Sequence, residues 1–336
     1  MQYRFLGRTG LKVSELCMGT QTFGWVTDEA TAYTISDRFV EAGGNFFDTS
    51  NTYNKGKAEV MLGNWLKKQD NRSQMIVATK IFFPVSDSPN DSGLSRKHIF
   101  DQIDASLRRL QTDYVDLYQM HCWDASTPLE ETLGALNDLV HAGKVRYIGA
   151  SNYTASQLDR AIMLSRMHGL ARFDCLQPEY SLLVRSPEWE LLPLCRFEGI
   201  GVICWSPLAG GWLTGKYRRN QPPPPGSRVA RGDRWDDLPE QRESECTWRI
   251  IDTLIEIGEA CDKSPAQVAL NWLLRQPGIT APIFGARTLG QMEDNLGSVG
   301  WMLTPEEIVR LNAASEVPLP SPYNFIARYT RKPDED

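Results

Sequence analysis

The chain is poor in histidine, has no long apolar run and shows no paired-cysteine pattern. Only four of its 336 residues are histidine, and His98, His141 and His168 fall in stretches with helical spacing. That argues against a multi-histidine metal site. No apolar stretch approaches the length of a membrane span, and the opening MQYRFLGRTG lacks the apolar core of a signal peptide. Seven cysteines, an odd number without a Cys-x-x-Cys spacing, argue against a disulfide framework. Cys175 and Cys204 lie in apolar runs and read as buried thiols. Together these features predict a protein of the reducing cytoplasm. Excess positive charge is missing too. The net charge is −6, so no overall field draws nucleic acid or anionic lipid. Finally, no Gly-x-Gly-x-x-Gly follows an early strand, the mark of a doubly wound dinucleotide-binding sheet.

What is present is alternation. Eight strand-like runs stand at 16–20, 45–49, 75–80, 115–121, 145–151, 173–180, 201–207 and 280–286. Amphipathic segments lie between them at 28–42, 57–69, 97–110, 129–142, 154–168, 187–198 and 247–276. Ile99, Ile103, Leu107 and Leu110 recur on one helical face. Asp28, Thr127 and Thr154 stand where N-caps are expected, and Ser264 with Pro265 starts a new helix. Eight strands alternating with helices predict a (β/α)8 TIM barrel, one domain over 1–336. GRTG marks the turn of an N-terminal β-hairpin.

A long loop follows the seventh strand, about forty residues, a length usual for a lid. It carries Trp212, Trp235, Lys216, Arg218, Arg219 and Arg228, a mix suited to a flap over an anionic ligand. The tail after Leu311, with Tyr323, Phe325 and Tyr329, reads as a strap over a pocket mouth.

In such a barrel chemistry gathers where strands end. Asp48, Lys80 and His121 end three successive runs, and Tyr53 follows on the adjoining loop. Each alone is as readily structural. Jointly they suggest a phenol tuned to release a proton. A free phenol has a pKa of about 10, and a nearby ammonium lowers it. Two units would take about 2.7 kcal/mol. Lys80 supplies the charge, Asp48 holds it, and His121 orients a substrate oxygen. Such a site polarises a carbonyl for hydride attack.

None of the four carries hydride, so a nicotinamide cofactor is implied. Ser151, Asn152 and Gln177, at the ends of the fifth and sixth strands, suit an amide. Trp205 is either core or a flat platform for the ring. Gly210 and Gly211 admit close backbone approach. Lys216 and Arg228 are either solvated charges or a grip on pyrophosphate. Arg287, near a helix start, suits a 2′-phosphate and hence NADPH. Trp25 and Trp123 line a pocket or pack, while Trp65 sits in a helical pattern and reads as core.

Seven motifs then point one way: FLGRTGLKVSELCMGTQTFG, GGNFFDTSNTYNKGKAEVMLG, DASLRRLQTDYVDLYQMHCWD, GKVRYIGASN, LQPEYSLL, WSPLAGGWLTGKY and GARTLGQMEDNLG. In this order the chain resembles the aldo-keto reductases over nearly its whole length. It looks nearest to the bacterial and plant members related to potassium-channel β subunits. The resemblance implies a barrel that binds extended NADP(H), with Asp48, Tyr53, Lys80 and His121 as catalytic tetrad and Tyr53 as proton donor. By motif it places Thr20 and Gln21 at the nicotinamide end, and Ser151, Asn152 and Gln177 on the carboxamide. Trp205 stacks on the ring. Ser206, Leu208, Gly210 and Lys216 follow the pyrophosphate, with Arg228 beside it. Gly285, Arg287 and Gln291 surround the adenosine phosphate, and Asp294 and Asn295 meet the adenine.

The chain departs from the pattern at Cys17, where the motif often has glycine, and at Gln21, commonly hydrophobic. Asp294 is shorter than the usual glutamate, and Arg287 replaces a smaller polar residue of the channel subunits. His121 is retained, unlike in those subunits. The function expected is NADPH-dependent reduction of aldehydes or ketones, with a carbonyl or alcohol as small-molecule substrate. The alternative is a redox-sensing NADP(H)-binding subunit with slow turnover. A third reading makes Lys80 a Schiff-base nucleophile. Substrate-choosing loops are read around Trp25, Phe82 to Gly93, Cys122 and Trp123, and the tail. Oligomeric partners are not readable.

Overall fold

The structure, a computed structural model, describes residues 1–232 and 243–330. A two-stranded antiparallel hairpin comes first, β1 (Tyr3–Phe5) and β2 (Lys12–Ser14). Eight parallel strands then close a barrel in sequence order. They are β3 (Cys17–Gly19), β4 (Phe46–Asp48), β5 (Ile76–Ile81), β6 (Val115–Met120), β7 (Val145–Ser151), β8 (Phe173–Gln177), β9 (Gly201–Cys204) and β10 (Ile279–Phe284). β10 pairs back onto β3. Both faces of each strand are covered, which is why the runs are apolar rather than alternating.

Helices Glu29–Glu41, Lys57–Gln69, Arg96–Leu110, Leu129–His141, Ala155–His168 and Leu191–Glu198 fill the outer ring, followed by Glu245–Cys261 and Pro265–Leu274. Their starts follow local chemistry. Asp28 accepts the Thr31 N–H at 2.8 Å. Thr154 forms a capping box with Gln157, and Ser264 forms one with Gln267, with Pro265 just inside the helix. Thr127 is not a cap: Pro128 holds that position, and the Thr127 hydroxyl donates to Asp124 at 2.7 Å. The segment 187–198 splits into a 3-10 turn at Ser186–Glu188 and a helix from Leu191. A helix at Pro305–Ala314 leads into the stretch read as a strap, and another, Tyr323–Tyr329, lies within it. Among the described residues no helix is long and apolar enough to cross a membrane.

Two cores result. The larger lies between strands and helices and includes Phe39, Phe47, Trp65 and Leu136. Burying each such side chain is worth about 1.5–3 kcal/mol. The smaller fills the barrel: Phe46, Ala78, Leu117, Cys175, Ile203 and Ala281, with Leu6 and Val13 of the hairpin below. The hairpin closes the floor. Arg8 N–H donates to the Gly199 carbonyl at 2.9 Å, and the Arg4 guanidinium reaches the carbonyls of Ile279 and Leu274. Backbones touch here: a Cβ on Gly201 would lie 2.7 Å from the Gly7 nitrogen.

Candidate active site

Side chains on a strand alternate between faces, so the residue two beyond an inward apolar one also points inward. Above Phe46, Ala78, Leu117 and Cys175 come Asp48, Lys80, Gln119 and Gln177. The register brings them to one level: Lys80 pairs with Gln119, and Ser151 with Gln177. The result is a polar layer inside the barrel. Lys80 Nζ reaches an Asp48 carboxylate oxygen, the Thr49 carbonyl at 2.9 Å and the Tyr53 hydroxyl at 2.9 Å. The other Asp48 oxygen accepts amide N–H groups from Gln119 at 3.1 Å and Gln177 at 2.9 Å. Lys80 and Asp48 are 0% and 2% exposed, so this is a buried pair whose remaining valences are met by hydrogen bonds, the condition for tolerating such charges.

The electrostatics follow from that closure. Burial works against the Lys80 ammonium, but Asp48 and Tyr53 outweigh it, leaving its pKa above the ordinary value. For Tyr53 the expectation of a lowered pKa is corrected. Burial raises it, and the opposing pull of Lys80 does not offset that. The phenol therefore keeps its proton at neutral pH. His121 is neutral, its pKa driven well down by burial and then by Lys80. Its ring meets Tyr53 edge-on at 5.9 Å and Phe83 at 4.8 Å between centroids, and Nδ1 lies 3.3 Å from the Ser50 hydroxyl.

Several rim residues adopt left-handed backbone without being glycine: Asn54, Lys55, Asn152, Ser206 and Ala209. Each such residue stores about 1–3 kcal/mol of strain, which collects at working sites. Asn152 uses its turn to donate its amide to the His121 carbonyl at 2.8 Å and accept the Trp205 indole N–H at 3.1 Å.

A cavity of about 520 Å³ begins at Asp48, Tyr53 and His121 and is lined at its other parts by Lys216, Arg228, Arg231 and Arg287. Gly210 and Gly211 have φ of 65° and 99°. A Cβ on Gly211 would lie 2.9 Å from Lys216 Cε, so glycine admits the lysine. Lys216 falls to about 8, through burial and then the charges of Arg287, Arg228 and Arg231. Positive charge is thus crowded into this part of the cavity wall.

Residues 15–316 match the Aldo/keto reductase family. The chain belongs to the aldo/keto reductase family. It is 41% identical over 321 residues to a Bacillus subtilis (strain 168) protein named Uncharacterized oxidoreductase YrpG, covering 93% of this chain and 95% of that one. It is 37% identical over 318 residues to the Probable voltage-gated potassium channel subunit beta of Oryza sativa subsp. japonica, covering 93% and 96%. It is 36% identical over 336 residues to the Versiconal hemiacetal acetate reductase of Aspergillus parasiticus, covering 92% and 95%.

In this aldo/keto reductase, Asp48, Tyr53, His121, Gln21, Ser151, Asn152, Gln177, Trp205, Ser206, Leu208, Gly210, Lys216, Arg228, Gly285, Arg287, Gln291, Asp294 and Asn295 all line the one cavity. Lys80 lies just beneath its surface. Thr20 does not line it. Its N–H and hydroxyl both donate to the Asp48 carbonyl, at 2.9 and 3.1 Å. Gln291 accepts the Arg287 N–H at 2.9 Å, Asn295 donates to the Gly285 carbonyl at 3.2 Å, and Asp294 accepts from Gln267 at 3.1 Å.

The loop after β9 is only in part the expected flap. Trp212 is core, packed on Tyr217 and Trp248, because its ring finds more apolar contact inward than over the cavity. Arg219 pairs with Glu245 at 2.5 Å, and Arg218 is exposed. Trp235 lies outside the described residues. Of the aromatic loops, Trp25 and Phe83 line the cavity. Cys122 and Trp123 do not, and Trp123 packs edge-on against Tyr153. Among the described residues of the tail none lines it either, and Tyr323 packs on Trp189 instead. Sequence reasoning missed Gln119 and Arg231. Gln119 stands on β6 two residues beyond the inward-facing Leu117, so alternation was its signal. Arg231, 5.8 Å over the Trp25 ring, carried none.

Proposed function

We propose that this family member is an NADPH-dependent oxidoreductase that reduces aldehydes or ketones to alcohols, working as one barrel domain. The observation that carries the reading is a single cavity with a proton-bearing phenol at one end and four cations at the other. Membership of the family and a relative named as a reductase support it.

NADP(H) fits the residues present. Four cations and glycines that make room for them suit a pyrophosphate and a 2′-phosphate. Lys216 and Gly210, with Ser206, Leu208 and Arg228, would hold the first. Arg287, Gly285 and Gln291 would hold the second, and Asp294 and Asn295 would meet the base. Ser151, Asn152 and Gln177 would take the carboxamide, Trp205 the ring face, and Gln21 the nicotinamide end. Thr20 would act behind them by fixing the Asp48 backbone.

When bound, the reduced nicotinamide supplies hydride to the carbonyl carbon. Tyr53 gives its proton to the carbonyl oxygen as charge grows there. Lys80, 2.9 Å away, stabilises the phenolate left behind, and Asp48 keeps Lys80 charged. Neutral His121 donates its free ring N–H to the same oxygen. A positioned acid contributes about 10²–10⁴-fold, and a donor aimed at developing charge about 10²–10³-fold. The phenol carries the proton that reduction consumes.

The test is NADPH oxidation over a carbonyl panel that includes 4-nitrobenzaldehyde, repeated with NADH. We expect turnover with NADPH and weaker turnover with NADH. Tight NADPH binding with negligible turnover across the panel would instead favour the slow regulatory-subunit reading, to which the name of the rice relative points.

A further inference from the structure

Behind Tyr53 the chain runs through three consecutive left-handed residues, Asn54 (φ 49°), Lys55 (φ 55°) and Gly56 (φ 84°). Two carry side chains, so local propensity does not hold this shape. Contacts from elsewhere must hold it, and the structure supplies one on each side. Under Gly56 lies Arg109, so close that a Cβ there would meet Arg109 Cδ at 2.9 Å. Arg109 is bonded to the buried Glu59 at 2.6 Å, and Glu59 accepts the hydroxyl of Thr79, the neighbour of Lys80, at 2.5 Å. That side anchors the start of the following helix. On the other side the Asn54 amide donates to the Gly24 carbonyl and, at 3.5 Å, to that of Phe23. Gly24 has φ 69°, and a Cβ on it would lie 2.9 Å from Asn54 Nδ2. Glycine is what admits the amide. The next two residues, Trp25 and Val26, line the cavity.

We propose that Asn54 is a positioning residue for proton transfer. Its amide ties the segment behind Tyr53 to the Phe23–Gly24 turn and so fixes the phenol hydroxyl at Lys80. This rests on the reading of Tyr53 as proton donor. Asparagine meets two demands at once. It tolerates left-handed backbone, and it carries a donor short enough to reach a carbonyl. Aspartate meets only the first.

Two variants test this. Asn54→Asp keeps size and backbone tolerance but sets a carboxylate against two carbonyl oxygens. Asn54→Gly removes the side chain while favouring the left-handed turn, so it should fold. In both, kcat for aldehyde reduction should drop by about tenfold to a hundredfold, the cost of a small misplacement, with KM for NADPH moving less than about threefold. A readout independent of turnover is the 13Cζ tyrosine NMR resonance that disappears in Tyr53→Phe. In both variants that resonance should split, broaden, or titrate at a shifted pH. Variants that keep wild-type kcat and an unchanged Tyr53 resonance overturn the proposal. If the wild-type protein reduces no carbonyl, the reductase reading fails and the NMR result alone decides whether Asn54 places Tyr53.

Discussion

Lys80 lies beneath the cavity that Lys216 lines, and burial pushes both the same way, yet they end with opposite shifts. Lys80 sits on a barrel strand, fully buried, with Asp48, the Thr49 carbonyl and Tyr53 around its ammonium, and its pKa rises. Lys216 sits on the loop after β9 among Arg287, Arg228 and Arg231, and falls to about 8. Burial alone therefore decides neither. A carboxylate neighbour outweighs desolvation, and guanidinium neighbours add to it. The Asp48 end is complete within the protein. The Lys216 end gathers four cationic side chains, the ones assigned above to the cofactor's phosphates.

Three experiments break or sharpen that contrast. The largest effect is expected from Tyr53→Phe, which removes the proton and leaves the binding wall intact. The kcat should fall about 10³-fold, near 4 kcal/mol, while NADPH affinity by fluorescence quenching stays within about twofold. A variant with near-normal kcat would refute the donor role.

Next come the two lysines themselves. Lys80→Met leaves a buried carboxylate without its cation and should cost about 3–5 kcal/mol of stability in urea melts. Lys216→Met removes a charge from a repelling cluster, so its stability should hold while NADPH binds about tenfold more weakly. Equal destabilisation by both would erase the distinction.

The smallest effect is a pH dependence. Free Lys216 is half-protonated near pH 8, and an anion beside it raises that pKa, so binding takes up a proton as pH rises past 8. NADPH affinity should be level below that point and then fall, approaching tenfold per pH unit. Lys216→Met should lose this fall. A wild-type dissociation constant that stays flat from about pH 7 to pH 9.5 contradicts it.

Much of the barrel was legible because its signals are local. Every strand is an apolar run, and Asp48, Lys80, His121, Ser151 and Gln177 stand at strand ends. Pro265 marked the break between two helices that otherwise read as one. What escaped depends on closure in three dimensions. The Tyr53 pKa turns on how much water the finished barrel excludes. Trp212 was misplaced because a loop tryptophan carries no sign of which way its ring faces. Asn54 meets Gly24 from thirty positions away along the chain, and Arg231 meets Trp25 from many more. The helix Pro305–Ala314 was overlooked although Thr304 and Glu307 form a capping box there, a signal within reach of the same rules.

The hairpin that floors the barrel carries a consequence for how the chain is made. Residues 1–14 are made before the barrel strands, yet Leu6 and Val13 share a core with Cys175, Ile203 and Ala281, and Gly7 rests against Gly199 and Gly201. Contacts so distant along the chain form slowly. The hairpin, made before the strands it seals, must wait unpaired with them until the last of them are assembled above it. Its docking is then a late act of folding, one that seals what the other strands have already enclosed.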